Sequence, residues 1–558
     1  MSKIETERLS QAYKEKAKRL KTWSGIELEP AYGPRNGGTD YAADLGDPGQ
    51  PPYTRGIHKN MYRGRLWTRR AVVGHGAPEE TNARFKTQIE QGVAGLDVIT
   101  DTPSMVGLDA DHPMAEGEIG ICGVSISSLE DMELLMAGVP IEKVSTVLLP
   151  GGTQCPVVFA AYVALAQDRG LKPSQLRGTI SNNPLHLYFC GPVGKITNPM
   201  DLSLKLSVDI IEYCTLNMPQ FHSGYSNAYD MRESRIGAAQ EIAVGFAEEM
   251  AYIDGALARG LDIDDFEPRR SMYFSAHTDI FEEAAKLRAA RRMWARLMTE
   301  KYGAKKEATR QLRFGVHTGG SSLFPQQPLN NVVRVAYQAL AAVMGGAQSL
   351  HCCSYDEPVA IPTEGAQQIA LRTQQILAHE AGAANVADPL GGSYYVEALT
   401  DQLEAAAGEF LDEIDQRGGF LAVAETGWLQ AKMDEATLNF QAEVEAGERV
   451  LVGVNAYTTE EEDLTPGGVF RVSDQAERLV IERLQRLRAT RDEGKLRTAI
   501  EALAQKAAAG QSENLIPAII DALRAKATKA EIGGVIRQAF GYSYDPLGML
   551  ENPFEGNG

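Results

Sequence analysis

The sequence has few cysteines and no long apolar run. It contains six cysteines, without a C-x-x-C pair and without the histidine spacing that is typical of zinc sites. No run of about 18 apolar residues occurs, and the N-terminus has no apolar signal-peptide core. We therefore expect reduced thiols, no metal site, no membrane contact and a cytoplasmic location.

Basic residues are in the minority. The chain has 55 Lys and Arg against 74 Asp and Glu, a net charge of −19, which disfavours nucleic acid and anionic membranes as partners. Apolar residues make up 44% and charged residues 23%, an ordinary globular composition. The composition therefore excludes a largely disordered chain.

Three regions follow one another along the sequence. Residues 1–50 combine a charged helical pattern with a stretch rich in Gly, Pro and Asp, which predicts an arm that contacts another subunit. Residues 51–400 alternate β-rich segments with helical patterns, and residues 401–558 predict a helical region. The predicted strands are 95–100, 119–125, 144–149, 176–181, 219–226, 270–276, 312–318 and 348–354. This alternation favours an α/β fold of the (β/α)8 TIM-barrel type, with a doubly wound sheet as the alternative.

Several predicted strands carry small or polar residues where barrel interiors usually hold Val, Ile and Leu. These residues either lie at strand ends and face loops, or they line the path of an elongated ligand. They are Thr179, Ser181, Asn182, Ser275, Ala276, His277, Gly315, His317, Thr318, Ser349, His351, Cys352 and Cys353.

Long motifs connect the chain with a known family. They include "PYTRGIHKNMYRGRLWTRR" 52–70, "GHGAPEETNARFK" 74–86, "DADHPMAEGEIGICGVSISSLEDME" 109–133, "QQPLNNVVRVAYQALAAVMGGAQSLH" 326–351 and "DPLGGSYYVEALT" 388–400. From about residue 50 onward, the chain resembles the large subunit of the methylmalonyl-CoA mutase family, the adenosylcobalamin-dependent acyl-CoA mutases. Family membership alone does not fix the substrate.

The resemblance implies a barrel that admits the pantetheine arm of coenzyme A, with cobalamin held against one end. The reaction it implies is a radical rearrangement in which the thioester group migrates to the neighbouring carbon. The family's cobalt-ligating D-x-H-x-x-G motif does not occur in this sequence. We therefore expect a separate small cobalamin-binding subunit that carries it, in an α2β2 assembly.

The resemblance also assigns binding residues. Arginines suit the phosphates of coenzyme A because the guanidinium fork makes bidentate bonds, although each could instead form a surface ion pair. A carboxylate such as Glu357 can accept hydrogen bonds from both ribose hydroxyls of an adenosyl group. The matching positions are Met61, Arg65, Thr68, Arg70, Arg269 and Ser271 for coenzyme A, and Gly74, Cys353 and Glu357 for the adenosyl group.

The predicted acyl pocket departs from methylmalonyl-CoA mutase. Gly191 stands where that enzyme has the arginine that pairs with the substrate carboxylate, and Val72 replaces a tyrosine contact. Ile99 stands where the hydroxyisobutyryl enzyme has an aspartate. These changes predict a non-malonyl, branched or bulky acyl group; the pocket residues are Val72, Ile99, Thr100, Ser181 and Gly191. If Lys195 replaces the missing anchor, an ordinary methylmalonyl-CoA/succinyl-CoA mutase is the alternative, and the large subunit of a 2-hydroxyisobutyryl-CoA mutase is another.

The catalytic candidates lie in and near "HSGYSNAYDMRES" 222–234, which predicts a strand followed by a helix. Asp230, beside Tyr229, replaces the family histidine that bonds the thioester carbonyl. A protonated Asp230 could donate that bond, whereas an ionised one could accept from a hydroxyl or pair with an amine.

A compensating change is expected on another strand. His317 replaces a family glutamine and Gly315 a histidine, so His317 takes over as carbonyl donor or merely fills barrel space. A non-catalytic homologue that serves as a scaffold for the cobalamin-binding partner is the remaining alternative. The presence of Arg65, Arg70 and Arg269 argues against it.

Overall fold

The computed structural model describes residues 20–22, 24–28, 40–70, 72–90, 95–189, 198–459 and 473–555. Its strands are β1 Leu20–Lys21, β2 Glu27–Leu28, β3 Thr68–Arg69, β4 Val72–Val73, β5 Gly95–Ile99, β6 Ser145–Leu149, β7 Gly178–Ile180, β8 Phe221–His222, β9 Gly224–Asn227, β10 Arg270–Ala276, β11 Phe314–Thr318 and β12 Ser349–His351. The predicted helix at the start of the arm falls mostly outside the described residues.

The α-helices are more numerous than the strands. They are α1 Met61–Gly64, α2 Pro78–Glu90, α3 Thr102–Val106, α4 Leu129–Leu135, α5 Cys155–Asp168, α6 Met200–Asn217, α7 Ala228–Glu233, α8 Ala238–Ala258, α9 Ile263–Phe266, α10 Ile280–Glu300, α11 Glu307–Arg310, α12 Asn330–Met344, α13 Glu364–His379, α14 Tyr394–Gln416, α15 Gly419–Glu425, α16 Trp428–Glu445, α17 Asp474–Thr490, α18 Glu493–Ala508, α19 Ile516–Arg524 and α20 Lys529–Ala539. Short 3₁₀ turns span Pro113–Ala115, Gly152–Gln154, Pro173–Gln175, His186–Phe189, Glu267–Arg269 and Gly320–Ser322, and Tyr41–Leu45 is a π-turn.

The chain divides into two compact units and passes between them several times. Unit 1 comprises residues 1–69, 227–247 and 271–470, and unit 2 comprises residues 70–226, 248–270 and 471–558. The sequence prediction placed its boundaries near residues 50 and 400, and that division stays a prediction. Both units combine a parallel sheet with helices, so the α/β fold class is confirmed.

In unit 1, strands β3, β12, β11 and β10 lie side by side in parallel. One face of this sheet is apolar and buried because it packs under helices; it carries Met272, Phe274, Phe314, Val316 and Leu350. The other face carries two rows set by the register, Tyr273, Gly315, Ser349 and Thr68, then Ser275, His317 and His351. Tyr273, His317, Ser349 and His351 on this face are only half-buried. The polar residues therefore occupy a whole sheet face and not only strand ends.

A buried ionic cluster supports this sheet from behind. Lys286 on α10 donates to Glu241 (2.7 Å), to the Ser275 carbonyl on β10 (2.6 Å) and to Glu283. Arg232 on α7 lies 3.2 Å from Glu283 and 3.4 Å from Glu241. All four charged side chains are buried, so each charge depends on the others for compensation.

In unit 2, strands β4, β5, β6, β7 and β8 form a second parallel sheet. Its main core contains aliphatic side chains of the strands together with those of α5, α18, α19 and α20. Helix ends are fixed by side-chain caps: Ser128 and Asp131 form a capping box at α4, and Thr528 and Glu531 form one at α20. Long amphipathic C-terminal helices thus become part of this core.

Most of the predicted strands are confirmed, with one error and, besides the unpredicted arm pair β1 and β2, one omission. The segment 119–125 is not a strand; only Val124 forms a bridge, to Thr100. It is a loop because Gly120 has φ 72° and a Cβ at Gly123 would lie 2.1 Å from the Thr100 carbonyl carbon. The omission is the pair β3 and β4, whose arginine-rich sequence hides two short strands.

No helix within the described residues is long and apolar enough to cross a membrane.

Candidate active site

Asp230 lies in the first turn of α7, directly after β9 ends. The Asn227 side chain caps this helix, accepting from the Asp230 amide (3.4 Å), and its Nδ2 donates to Asp230 Oδ2 (2.7 Å). Asp230 is half-buried. The strand-to-helix prediction for this segment is confirmed, and the Asp230 carboxylate acts as an acceptor toward Asn227.

His317 lies on the polar face of unit 1. Its Nδ1 is 2.8 Å from the Thr318 carbonyl oxygen, a contact that requires the proton on Nδ1. Burial lowers the pKa of His317, although the Thr318 contact and the charges of Glu233 and Asp230 act in the opposite direction. A neutral His317 protonated on Nδ1 presents Nε2 as an acceptor, which fits the sequence-based donor role poorly.

Aromatic rings surround His317. The Tyr229 ring centroid is 4.5 Å away, and the His351 ring stacks on His317 at 4.2 Å. Burial, with added effects of the Glu233 and Cys353 charges, raises the pKa of Tyr229 well above its ordinary value. Tyr229 therefore keeps its proton and can act as a neutral hydrogen-bond donor.

Gly315 leaves room for Tyr273. The two residues are register partners on β11 and β10, and a Cβ at Gly315 would lie 2.7 Å from Tyr273 Cε2. The Tyr273 ring is 6.1 Å from the Tyr229 ring. The space that a side chain at position 315 would need is thus filled by a tyrosine ring from the neighbouring strand.

Glu233 is a site residue that the sequence reasoning missed. It accepts from Ser275 Oγ (2.9 Å), the Ser321 amide and His277 Nε2 (3.2 Å). Burial alone would raise the pKa of Glu233, but its bond to His277, that residue's charge, and the bonds from Ser321 and Ser275 lower it to about 2. Its position in the segment "HSGYSNAYDMRES" 222–234, three residues after Asp230, was the available signal.

A small open space lies beside Gly320. A Cβ there would be 3.7 Å from Glu233 Oε2, 3.7 Å from the Tyr229 hydroxyl and 3.8 Å from Cys353 Sγ. Polar groups from two segments, α7 and the chain after β12, thus border a space that a side chain would fill. Because Tyr229 can donate and Glu233 can accept hydrogen bonds here, these groups match the hydroxyls of an adenosyl group in chemistry.

The two predicted adenosyl contacts in unit 1, Cys353 and Glu357, differ in character. Cys353 donates its thiol to the Thr318 carbonyl (3.1 Å), and burial raises the pKa of this thiol well above its ordinary value. Glu357 is exposed to solvent, yet enough protein surrounds its carboxyl to raise the pKa to about 7, with Asp356 and Glu233 adding to the effect. Glu357 is therefore the accessible polar group of the pair.

The predicted coenzyme A residues of unit 1 lie toward the amino-terminal edge of its sheet. Thr68 begins β3 and pairs in register with Ser349, Ser271 is the second residue of β10, and Arg65 is exposed. Met61 differs from these because it is buried; a Cβ at Gly56 would lie 2.5 Å from its sulfur atom. Met61 therefore has a packing role.

The predicted coenzyme A and adenosyl residues of unit 2 differ in their contacts. Arg70 forms an ion pair with the buried Asp97 (2.6 Å), whose pKa is raised by burial against the effect of Arg70. Arg269 is exposed. At Gly74 a Cβ would lie 2.1 Å from the Ile99 carbonyl oxygen, so this glycine is required by the close approach of two strands.

The acyl-pocket candidates of unit 2 lie on or just beyond its strands. Val72 and Ile99 are half-buried, Thr100 donates to the Pro150 carbonyl (2.8 Å), and Ser181 Oγ is 2.9 Å from the Tyr225 hydroxyl. Gly191 and Lys195 lie outside the described residues. Among the described residues, no group of three or more His, Cys, Asp or Glu is arranged to hold a metal ion.

Comparison with known proteins supports the resemblance read from the motifs. A family model described as methylmalonyl-CoA mutase matches residues 21–542. The 2-hydroxyisobutanoyl-CoA mutase large subunit of Aquincola tertiaricarbonis is 40% identical over 88% of this chain and 86% of its own. Methylmalonyl-CoA mutases of Cereibacter sphaeroides and Escherichia coli are 38% and 37% identical over 93% of this chain and 73% and 72% of their own.

The parallel α/β fold and these matches define an isomerase of the acyl-CoA mutase class. The chain belongs to the methylmalonyl-CoA mutase family, whose enzymes depend on cobalamin.

Proposed function

We propose that this chain is the large subunit of an adenosylcobalamin-dependent mutase. Its substrate is a non-malonyl, branched or bulky acyl-CoA, whose thioester group it moves to the neighbouring carbon. The parallel strands that alternate with helices in both units support the (β/α)8 barrel predicted from the sequence. The free thiols of the five described cysteines fit a reducing, cytoplasmic compartment.

The observation that carries this proposal is the polar sheet face of unit 1. Thr68 and Ser271 lie toward its amino-terminal edge, whereas Tyr229 and His317 meet toward the carboxyl edge. Strand β10 spans roughly 20 Å at about 3.3 Å per residue, a distance suited to an extended pantetheine arm. Coenzyme A bound toward one edge would thus deliver its thioester near the other.

Residues of this chain would position the acyl group while the bound cofactor supplies hydrogen abstraction and return. The neutral Tyr229 hydroxyl would donate to the thioester carbonyl, because its raised pKa keeps the proton in place. Glu233, held ionised by His277 and Ser275, adds a fixed negative charge beside the tyrosine. The Gly320 space and Glu357 would hold the adenosyl group.

The acyl class follows from the described pocket candidates in unit 2. Val72 and Ile99 offer apolar surface, and no arginine is predicted at the position of the malonyl anchor. An unpaired substrate carboxylate would lose several kcal/mol there, so malonyl esters bind poorly.

A second candidate substrate is a hydroxyacyl-CoA. In unit 1, His317 Nε2 and the Asp230 carboxylate both present acceptors, which would suit a hydroxyl donor on the acyl chain. A relative that is 40% identical is named as the large subunit of a 2-hydroxyisobutanoyl-CoA mutase. A branched acyl-CoA that carries a hydroxyl group should therefore be tested beside a branched acyl-CoA without one.

We further propose a small cobalamin-binding subunit with a D-x-H-x-x-G motif as partner, with two copies of each chain. The relative named as a large subunit supports this arrangement.

The test is turnover by the two-subunit enzyme reconstituted with adenosylcobalamin. A panel of branched, hydroxylated, straight-chain and malonyl acyl-CoA esters is incubated, and the products are resolved as isomers by mass spectrometry. We expect isomerisation of a branched or hydroxylated ester and little turnover of methylmalonyl-CoA. Efficient methylmalonyl-CoA turnover would overturn the substrate assignment, and no turnover of any ester would favour the scaffold alternative.

Asp230→His refines the assignment in the same assay. A histidine would restore a carbonyl donor, so small acyl-CoA esters should gain activity relative to the native substrate. Asp230→Asn is the matched control, because it keeps the shape and the Asn227 contact without the charge. Equal effects of both variants on all esters would show that Asp230 acts only on the α7 cap.

A further inference from the structure

Unit 1 carries an exposed apolar stripe on helix α12. Leu329, just before the helix, and Val333 and Tyr337 within it are 60%, 54% and 50% exposed. Their spacing of four residues places them on one face of the helix. The face opposite this stripe, with Val335, packs inside the unit. Three large apolar side chains in line at this exposure exceed the scattered single ones that soluble proteins commonly show.

The neighbouring helix α13 continues the apolar surface. It packs against α12, and Ile369 and Ile376 on its outward face are both exposed. These two residues are seven positions apart, so they lie on the same side of the helix, two turns from each other. Two adjacent helices thus present parallel apolar rows.

A loop enlarges this surface beside the start of α12. Arg334 donates to the Val452 carbonyl (2.6 Å), and Gln327 Nε2 donates to the Tyr457 carbonyl (2.9 Å). These bonds hold the loop 450–457 against the helix while the Val452 and Tyr457 side chains stay exposed. We call the whole surface, formed by α12, α13 and this loop, the α12–α13 face.

The segments that form the α12–α13 face carry one acidic residue, the exposed Glu364 at the first position of α13, in a strongly acidic chain. No Asp or Glu occurs from Ala308 to Tyr355, from Gly365 to His379 or from Val450 to Thr459, although the whole chain carries −19. Two copies of such a protein repel each other over most of their surface. At the α12–α13 face, two copies can approach while few carboxylates from these segments come together.

The area of the face is close to what a stable dimer needs. Its seven exposed apolar side chains offer roughly 700 Å², against about 800 Å² per partner in a standard interface. A two-fold dimer uses the same patch on both copies, and apolar helix rows can pack against their own symmetry mates.

We propose that the α12–α13 face is the surface through which two copies of this chain associate. This inference rests on the two-copy assembly proposed above and assigns it a surface. It does not depend on the cofactor, the acyl-CoA or the reaction.

The test uses the full-length chain alone, by sedimentation velocity over a range of protein concentrations. The wild type should sediment as a dimer at micromolar concentration. Val333→Asp and Ile369→Lys should each raise the dimer dissociation constant at least about 30-fold, as expected when an interface anchor is lost. Using both charge signs shows that loss of apolar contact, and not one added charge, is responsible.

Leu438→Asp is the matched control. Leu438 is 66% exposed on α16 of the same unit, outside the α12–α13 face, so this variant should remain dimeric. Circular dichroism and melting temperatures of all variants verify folding; should Val333→Asp misfold, Tyr337→Ser replaces it.

Three results would overturn the proposal. They are a monomeric wild type, variants that dimerise as the wild type does, and variants that stay dimeric but no longer bind the small subunit. The last would assign the face to that subunit. Failure of mutase activity in the acyl-CoA panel would leave the dimer measurement unaffected, so the two proposals fail separately.

Discussion

The two parallel sheets of this protein differ in what their strands display. In unit 1 the register aligns Ser275, His317 and His351 across three strands, with Tyr273 and Gly315 in the row below. In unit 2, the register aligns one residue from each of five strands: Val72, Asp97, Val147, Thr179 and His222. The buried Asp97 of this row forms an ion pair with Arg70.

The two sheets therefore differ in the side chains they can offer to a ligand. In unit 1, Tyr229, His317 and Glu233 can donate a hydrogen bond, accept one or carry a negative charge. Hydrogen bonds from neighbouring residues and burial set their protonation.

Unit 2 also carries polar groups in its row, among them Thr179 and His222, but it places apolar side chains at the predicted acyl-pocket positions Val72 and Ile99. Variants in one unit at a time can test this comparison, because a change in unit 1 should affect ionic and hydrogen-bonded groups, whereas a change in unit 2 should affect the shape of the acyl pocket.

The largest expected effect comes from the ionic cluster behind the unit 1 sheet. Lys286→Met removes the buried partner of Glu241 and Glu283 and the bond to the Ser275 carbonyl. Breaking a buried ion pair costs about 3–5 kcal/mol of unfolding free energy. Denaturant unfolding followed by circular dichroism measures this loss.

Lys432→Met is the control for that experiment. Lys432 pairs with Glu435 at the surface, where such a contact contributes at most about 1 kcal/mol. Equal losses in the two variants would show that the cluster does not stabilise unit 1.

The next effect concerns acid stability through Glu233. Its pKa is lowered to about 2 in the folded protein, below the ordinary value near 4.5. A lowered carboxyl pKa stabilises the fold above the ordinary value, and this stabilisation is lost as the pH falls toward 2. Glu233→Gln should therefore lower stability by about 2–3 kcal/mol at pH 7, and the difference from wild type should shrink toward pH 2.

Unfolding of both proteins between pH 7 and pH 2 provides the measurement, with the exposed Glu435→Gln as control. If the difference in unfolding free energy between wild type and Glu233→Gln stayed constant across this range, the pKa of Glu233 would not be lowered by its hydrogen-bond partners.

A smaller effect is expected where Tyr273 covers Gly315. Gly315→Ala places a Cβ 2.7 Å from the tyrosine ring and should cost about 1–3 kcal/mol of stability. Tyr273→Ala in the same chain should recover at least about 0.5 kcal/mol of this loss through coupling. Gly365→Ala, with no atom within 4 Å of its Cβ, serves as control. Additive losses would contradict the close contact.

The smallest effect tests the shape of unit 2. Val72→Phe adds volume to an apolar, half-buried position and should lower kcat/KM for a branched acyl-CoA by about 10–200-fold. A short straight-chain ester is the internal control and should change less. An equal decrease for both esters would indicate a folding defect and not a change in pocket shape.

Much of the fold was predictable because strands such as β5, β6 and β10 are dense in β-branched and apolar residues. The loop 119–125 has similar composition, and only tertiary contact shows why Gly120 and Gly123 are there. Strands β3 and β4 were not predicted because a strand of two residues is too short to show an alternation of apolar and polar side chains. Composition alone cannot show such contacts.

The candidate site could be proposed from the sequence residue by residue, and its membership stays a prediction, whereas the hydrogen bonds that set its protonation could not be predicted. Tyr229, Asp230 and His317 were identified by their positions in aligned motifs. The sequence could not show that Asn227 pairs with Asp230 or that the Thr318 carbonyl fixes the tautomer of His317. These contacts changed the expected role of His317 from donor to acceptor.

The most direct test of the central claim is the kcat of Tyr229→Phe in the reconstituted two-subunit enzyme, with the preferred acyl-CoA as substrate. Tyr273→Phe, which removes the neighbouring hydroxyl from the same sheet face, is the matched control. If unit 1 supplies the thioester donor through Tyr229, kcat should fall about 10²–10³-fold for Tyr229→Phe and stay within about threefold for Tyr273→Phe. An unchanged kcat for Tyr229→Phe would contradict the account.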